Sequence, residues 1–344
     1  MKGVSLKDIA RMAGVAPSTV SLVLNGKAKQ MRISDGLASK IVKVASDAGY
    51  QPNQVAVSLR TGKSKILGLI VESISGHFFG SLAKIIEDEA GKFGYKIVYC
   101  STENDTVKGH ELVRMLSQRQ VDGYLITPTA GMEKDLQELI AHKKPVVLID
   151  SYFQDTDVPY VLVDNYAGVM EGMNHLIKKG YQKIAYITVD LPLVQIKQRS
   201  LAYDAALKAN KIKRDKKLVL QLKYNHTRES AIGQICSFIK KFSKLEAIFF
   251  ATNYLGILGL ESIKHLKMRI PEDIAVLCFD DHDIFRLYPP GISVMQQPVE
   301  EIATTAVNLL MSQLGLTANK NKNLQVQLAA KFVERGSIST YVRE

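Results

Sequence analysis

Short apolar runs alternate with longer amphipathic stretches along most of this 344-residue chain, from about residue 65 onward. The runs are rich in Val, Ile and Leu, as in strands buried on both faces, and the intervening stretches repeat apolar residues at helical spacing. This alternation predicts parallel sheets covered by helices, and because one sheet rarely uses so much chain, we expect two α/β subdomains. The predicted strands are Ile66–Val71, Lys96–Cys100, Tyr124–Thr127, Val146–Ile149, Val161–Val163, Lys183–Val189, Leu218–Leu222, Ile248–Ala251 and Ala275–Phe279.

The first fifty residues have a different pattern, which predicts three short helices. Ser5 is suited to cap the first helix, Gly14 to form a tight turn, and Pro17 to open the second helix. Asn25 and the glycine after it end the second helix, and Ser34 caps the third. Two helices joined by such a turn place one of them in a DNA groove. A small three-helix bundle without a ligand would show the same pattern.

The charge of the chain is concentrated in this helical segment. Residues 1–60 hold nine Lys and Arg against three Asp, so they carry +6 of the net charge of +11. A basic surface releases counterions from the phosphate backbone and so provides affinity for DNA of any sequence. The charge therefore favours the DNA-binding interpretation over a bundle without a ligand.

A set of short motifs continues through the next segment, where Pro52 and Asn53 open a helix of about two turns, too short to be stable alone. The motifs are Asp8-Ile9-Ala10, Ala13-Gly14-Val15, Thr19-Val20-Ser21, Asn25-Gly26 and Pro52-Asn53-x-x-Ala56-x-x-Leu59. With them, the sequence resembles the LacI/GalR family of bacterial transcription repressors over nearly its whole length.

The resemblance implies a fold and a domain organisation. It implies a helix-turn-helix DNA-binding domain at residues 1–50, a hinge helix and linker at 51–64, and an effector-binding and dimerisation domain at 65–344. This last domain would hold two interleaved Rossmann-like subdomains of the type I periplasmic binding protein kind. The resemblance also implies a homodimer, without a membrane segment, that binds a palindromic DNA operator.

Residues on the first two helices and the hinge are the candidate DNA contacts. By the resemblance, two hinge helices meet at Ala56 and insert Leu59 into the minor groove, as an apolar wedge that kinks the duplex. An ordinary linker residue packed on the body is the alternative for Leu59. The candidate DNA-binding residues are Ser5, Leu6, Pro17, Ser18, Thr19, Ser21, Leu22, Asn25, Asn53, Ala56 and Leu59.

Two residues of the second helix depart from the family pattern. Ala16 stands where the family usually has Ser or Thr, so we expect this helix to lack a side-chain N-cap. Leu22 stands where the family usually has Arg, and leucine cannot make the bidentate contact with guanine. We therefore expect an atypical half-site, with a thymine methyl group under Leu22 as one possibility.

The ends of the predicted strands hold the candidate effector site, because paired α/β sheets bind ligands at that edge. By the resemblance, Arg199, Asn253 and Asp280 match the family's effector-binding positions, whereas Ser151 and Tyr254 depart from the family pattern. A salt bridge across the cleft would use the same charged residues, and the two phenylalanines could instead belong to the core. The candidate effector-binding residues are Phe78, Phe79, Asp150, Asp164, Arg199, Asn253 and Asp280.

The composition excludes several classes of protein. The three cysteines are scattered, as expected of reduced thiols in a cytoplasmic protein, and we find no secretory or transmembrane segment. No phosphate loop, dinucleotide motif, metal-ligand spacing or nucleophile motif appears, so we expect no cofactor, no metal and no enzymatic activity. A sugar-binding transport component and a Rossmann-like enzyme remain the alternatives from other classes.

The resulting hypothesis is a transcription repressor controlled by a small molecule in the cleft between the subdomains. A change in cleft closure would alter the spacing of the hinge helices in the dimer and thereby the affinity for the operator. Sugars are the commonest effectors of the family, with purines, nucleosides and a phosphorylated partner protein as alternatives. Whether the effector releases DNA or promotes its binding stays open.

Overall fold

The computed structural model describes residues 4–51, 57–58, 61–154, 156–318 and 324–341. These residues form two compact units, one ending at Ser64 and the other beginning at Lys65. The predicted hinge residues Asn53, Ala56 and Leu59 lie outside the described residues.

The N-terminal unit is a small helical domain with its own core. One residue from each helix, Ile9, Val20 and Ile41, is completely buried in it. At the turn after the first helix, Gly14 adopts a φ of 72°, a left-handed conformation that favours glycine. The helices are α1 (Leu6–Ala13), α2 (Pro17–Leu24) and α3 (Asp35–Asp47).

The larger unit contains two six-stranded sheets with helices on both faces, which confirms the predicted α/β fold. In the first sheet all strands are parallel, in the order β11-β5-β4-β3-β1-β2. Its strands are β1 (Ile66–Val71), β2 (Lys96–Ser101), β3 (Gly123–Ile126), β4 (Val146–Ile149), β5 (Tyr160–Val163) and β11 (Gln325–Leu328).

The second sheet repeats this plan, in the order β12-β10-β9-β8-β6-β7. Only its edge strand β12 is antiparallel to its neighbour, and the other described pairs are parallel. Its strands are β6 (Ile184–Asp190), β7 (Val219–Lys223), β8 (Ala247–Phe250), β9 (Ala275–Phe279), β10 (Ser293–Gln296) and β12 (Lys331–Val333).

The helices pack on the sheets to give two lobes, which we call the first and the second lobe after their sheets. In the first lobe they are α4 (His77–Gly91), α5 (Thr106–Gln118), α6 (Glu133–Ala141) and α12 (Val299–Gln313). In the second lobe they are α7 (Asn165–Lys178), α8 (Val194–Ala209), α9 (Arg228–Lys241), α10 (Asn253–His265) and the short α11 (Asp283–Leu287).

The described chain passes between the lobes at three places: after β5, after β10, and between β11 and β12. Each lobe is therefore built from separate parts of the sequence. The central strands are buried on both faces because helices cover both sides of each sheet, as their apolar runs predict. Polar residues follow the carboxyl ends of β1, β4 and β9, and these ends face the cleft between the lobes.

Candidate functional site

The first helix of the N-terminal unit is fixed by a complete capping box. The Ser5 hydroxyl accepts a hydrogen bond from the Asp8 backbone N–H at 3.3 Å, and the Asp8 carboxylate accepts one from the Ser5 N–H at 3.0 Å. Hydrogen bonding from Ser5 lowers the pKa of Asp8 below its ordinary value. The box fixes the start of α1, which packs against α2.

The second helix begins without a side-chain cap, as the sequence predicts. Ala16 occupies the N-cap position and Pro17 is the first helical residue. Ala16, Pro17 and Ser18 are all exposed. An exposed helix N-terminus with free backbone N–H groups is a favourable place for a DNA phosphate.

The other predicted DNA contacts on this unit differ in exposure. Thr19, Ser21 and Leu22 are half-buried, whereas Asn25 is exposed and its Nδ2 donates to the Ser21 carbonyl oxygen at 2.6 Å. Leu6 is also half-buried and packs against the core of the unit. The candidate residues with the most exposed side chains on α2 are therefore those of its first turn.

A cavity of about 240 Å³ lies between the two lobes of the larger unit. The ends of β1, β4 and β9 contribute Glu72, Asp150 and Asp280 to its lining, and helix α8 contributes Arg199. Three carboxylates and one guanidinium thus converge in one partly enclosed space. Such a cluster of polar groups in an apolar cleft is typical of a small-molecule site.

Arg199 is held rigidly at the centre of this cluster. It is only 2% exposed, its Nε donates to Asn165 Oδ1 at 2.7 Å, and its NH1 donates to the Ala251 carbonyl oxygen at 2.7 Å. The guanidinium stacks 3.7 Å from the centre of the Phe279 ring and lies 3.6 Å from an Asp280 oxygen. These contacts hold the guanidinium in one orientation. They also compensate the free-energy cost of removing its charge from water.

Two aspartates of the cavity are each paired with a glutamine. Gln195 Nε2 donates to Asp150 Oδ2 at 3.0 Å, and Gln297 Nε2 donates to Asp280 Oδ1 at 2.6 Å. Both aspartates follow a strand and have a positive φ, 66° for Asp150 and 72° for Asp280. In both glutamines Oε1 is buried and has no hydrogen-bond partner among the described residues. Each pair thus presents an unused acceptor.

Burial dominates the electrostatics of these carboxylates. It raises the pKa of Asp150 to about 7, with Arg199 opposing the shift and the charges of Asp280 and Glu72 adding to it. Burial also raises the pKa of Asp280 and of Glu72, against the influence of Arg199 on the former and of a hydrogen bond from Tyr224 on the latter. The cavity therefore holds more carboxylates than its one arginine can neutralise.

Comparisons with known proteins agree with both units. Residues 5–53 match the model of bacterial regulatory proteins of the lacI family, and residues 173–338 match a periplasmic binding protein-like domain. The chain thus combines a lacI-family DNA-binding domain with a periplasmic binding protein-like domain. The HTH-type transcriptional regulator KdgR of Bacillus subtilis (strain 168) is 28% identical to it over 97% of both chains. The ribose operon repressor of Haemophilus influenzae is 27% identical over 93% of both.

A solved structure shares the fold of this chain. The crystal structure of the Lac repressor dimer bound to operator and the anti-inducer ONPF superimposes with a TM-score of 0.84 at 22% identity, covering 98% of this chain and 100% of that one. The curated relatives are transcription regulators rather than enzymes, in agreement with the prediction that this chain is not an enzyme. The match at residues 5–53 also separates it from a sugar-binding transport component, which has no DNA-binding domain.

The structure brings most of the predicted effector residues of this regulator together. Six of the seven candidates line the cavity, whereas Asp164 does not. Asp164 instead caps helix α7, where its Oδ1 accepts from the Ala167 N–H at 2.8 Å, and the neighbouring Asn165 contacts Arg199. The six are Phe78, Phe79, Asp150, Arg199, Asn253 and Asp280. Phe79 is 8% exposed and also packs in the core of the first lobe.

Sequence reasoning missed Glu72, Gln195 and Gln297 in this site. Glu72 directly follows a predicted strand, and Gln195 lies four residues before Arg199, on the same face of helix α8, so both positions carried a signal. Gln297 follows β10, a strand that the apolar pattern did not reveal. The glutamines matter because they position the aspartates, which a sequence pattern does not show.

Among the described residues, no group of three or more His, Cys, Asp or Glu side chains is placed to hold a metal ion. In the same part of the chain, no helix is long and apolar enough to cross a membrane.

Proposed function

We propose that this regulator is a repressor that binds a palindromic operator as a homodimer and is controlled by a sugar-like effector in its cleft. The observation that carries the proposal is the ring of polar groups around Arg199, Asp150 and Asp280 in a chain with a lacI-family DNA-binding domain. The resemblance to a ribose operon repressor supports a sugar as the effector class.

The unused acceptors of the cavity support a ligand rich in hydroxyl groups. The buried Oε1 atom of Gln297 requires a donor, and the carboxyl groups of Asp150 and Asp280 accept further hydrogen bonds. A polyol donates at each of these points, whereas a phosphate or carboxylate group would meet like charge. The half-buried Phe78 offers an apolar surface for the face of a sugar ring.

Exposed apolar side chains on the first lobe support the homodimer. Val98 and Tyr99 are 36% and 39% exposed on the edge strand β2, and Val107 at the start of α5 is 66% exposed. Large apolar side chains that stay exposed on an edge strand and on the helix that follows it are typical of an interface. A second copy of the chain would cover them and would give the two-fold symmetry that a palindromic operator demands.

The first turn of α2 supports sequence-specific DNA contact. Pro17 and Ser18 are exposed there, and Leu22 lies on the next turn of the same helix. With Leu22 in place of the family's Arg, we propose an operator half-site that differs from the standard family site. Selection of binding sequences from random duplex DNA tests this point, and recovery of the standard family operator would contradict it.

Thermal unfolding against a panel of sugars, sugar phosphates, purines and nucleosides tests the effector site. At a hundredfold excess over Kd, a true effector stabilises the folded state by about 2.7 kcal/mol. We expect the shift to be lost in Asn253→Ala, which removes a half-buried amide from the cavity lining, and to be retained in Asn308→Ala, an exposed position on α12. Stabilisation by sugar phosphates alone would contradict a neutral polyol as the effector.

DNA binding and its control complete the test. We expect salt-sensitive binding of a selected palindromic duplex, with an affinity that changes when the stabilising ligand is added. Binding that stays unchanged at saturating ligand would contradict effector control, even if the ligand occupies the cleft.

A further inference from the structure

A buried hydrogen bond joins the two lobes across the cleft. Asp150 follows β4 in the first lobe and Gln195 lies on α8 in the second, and Gln195 Nε2 donates to Asp150 Oδ2 at 3.0 Å. Both side chains are buried, at 9% and 5% exposure. Because the partners come from opposite lobes, this contact can form only while the cleft is closed.

The pair is incomplete when Asp150 is ionised. Gln195 Oε1 is buried and has no hydrogen-bond partner among the described residues. A carboxylate cannot supply one, because it only accepts hydrogen bonds, whereas a protonated carboxyl group also donates through its O–H. A proton on Asp150 would let the acid accept from Gln195 Nε2 and donate to Gln195 Oε1. Both polar atoms of the amide would then be paired.

The surroundings of Asp150 also favour a neutral acid. Glu72 from the end of β1 and Asp280 from the end of β9 place negative charge near it, and Arg199 is the one permanent cation among the described lining residues. Arg199 already lies 3.6 Å from Asp280. Burial and the two like charges raise the pKa of Asp150 to about 7, against Arg199 and Gln195. The remaining titratable groups that line the cavity are His77, His282 and Tyr254.

We propose that closing the cleft is coupled to the uptake of one proton by Asp150, which then pairs through both of its oxygens with the Gln195 amide. In the open cleft, water solvates the carboxylate, which returns to its ordinary pKa. The closed form therefore gains population as the pH falls. With a closed-state pKa of about 7, the ratio of closed to open forms rises about tenfold between pH 8 and pH 6.

A single introduced fluorophore measures this closure. The chain has no tryptophan, so Phe153→Trp introduces a single tryptophan, which is excited selectively at wavelengths that tyrosine does not absorb. Phe153 is half-buried and lines an opening between the lobes together with Pro192 and Leu193. Acrylamide, an uncharged quencher, then reports its exposure. We expect the quenching constant to fall between pH 8 and pH 6, because the cleft closes over the indole.

Two variants and one control decide the interpretation. In Asp150→Asn the asparagine amide imitates the protonated acid toward Gln195, so we expect low quenching at both pH values. Gln195→Met removes the amide at similar volume, so we expect high quenching at both. Asp190→Asn changes an exposed carboxylate at the end of β6 and should keep the pH response. Circular dichroism confirms that each variant is folded.

Each possible result of the quenching measurements either supports the proposal or overturns it. Loss of the pH response in both Asp150→Asn and Gln195→Met, with retention in Asp190→Asn, supports proton-coupled closure. A pH-independent parent, or a pH response that survives in Asp150→Asn, overturns it. The proposal concerns the cleft of the proposed effector site, but its test needs neither ligand nor DNA. Its failure would therefore be distinguishable from failure of the proposed function.

Discussion

Replacing Arg199 by Ala should destabilise the larger unit strongly, because this side chain is both buried and fully engaged. The change removes two hydrogen bonds of 2.7 Å, the stacking on Phe279, and the cation beside Asp280. Breaking a buried ion pair by removing one partner typically lowers the free energy of unfolding by about 3–5 kcal/mol, since the other charge is left uncompensated. We expect a loss in that range, measured by urea unfolding followed by circular dichroism.

The loss should depend on pH in a defined direction. Arg199 lowers the pKa of Asp280 and of Asp150, so its removal raises both values further above the ordinary 3.8. The folded state then binds more protons than the unfolded state, and its stability falls as the pH rises through the raised values. We therefore expect a larger deficit at pH 8 than at pH 5.

A second substitution tests whether the uncompensated charge of Asp280 causes the loss of stability. Asp280→Asn in the Arg199→Ala background removes the uncompensated charge, and asparagine tolerates the positive φ at this position. The two changes should therefore be non-additive, with a coupling of about 1–3 kcal/mol, and the double variant should lose most of the pH dependence. A deficit below about 1 kcal/mol in Arg199→Ala, or strict additivity, would refute the argument that Arg199 compensates Asp280.

Three further predictions follow from single positions. Gly259→Ala would place a Cβ 2.0 Å from the Phe250 ring and should lower the free energy of unfolding by about 1–3 kcal/mol. Gly233→Ala, which has open space around it, should not lower it, and equal effects of the two changes would contradict the packing argument. Ser5→Ala removes the capping box and should destabilise the N-terminal unit by about 0.5–2 kcal/mol in thermal unfolding; an unchanged melting curve would show that the box is dispensable. Leu22→Arg should move the preferred half-site toward guanine, with about 1–3 kcal/mol of discrimination in competition binding, and an unchanged preference would exclude this position from base contact.

The sequence predicted the buried parts of the fold well. Strands such as Ile66–Val71 and Ala275–Phe279 match the observed bounds because a strand covered on both faces must be apolar throughout. The edge strand Gln325–Leu328 alternates exposed and half-buried residues, and Lys331–Val333 is only three residues long. Such segments owe their strand conformation to a neighbouring strand, which local pattern cannot reveal.

The sequence predicted those residues of the candidate site that directly follow buried strands or match a family motif. Asp150 and Asp280 follow apolar strands, so their place at the cleft could be inferred, and Arg199 was identified by its resemblance to a family motif. Gln297 could not be inferred, and the place of Gln195 on the Arg199 face of α8 does not reveal its partner, because each glutamine acts through an aspartate that the tertiary fold brings to it. Asp164 also follows a strand, but its carboxylate satisfies the N-terminus of the next helix instead of facing the cavity.

The interleaving of the lobes has a consequence for synthesis on the ribosome. The last described strands, Gln325–Leu328 and Lys331–Val333, form an edge of the first and of the second sheet, respectively. The first lobe also lacks a covering helix until Val299–Gln313 has been made, more than two hundred residues after its first strand. Neither lobe can be finished until residues 325–333 have been made, because this segment supplies an edge strand to each sheet. A premature stop before Gln325 would therefore remove an edge strand from both sheets at once.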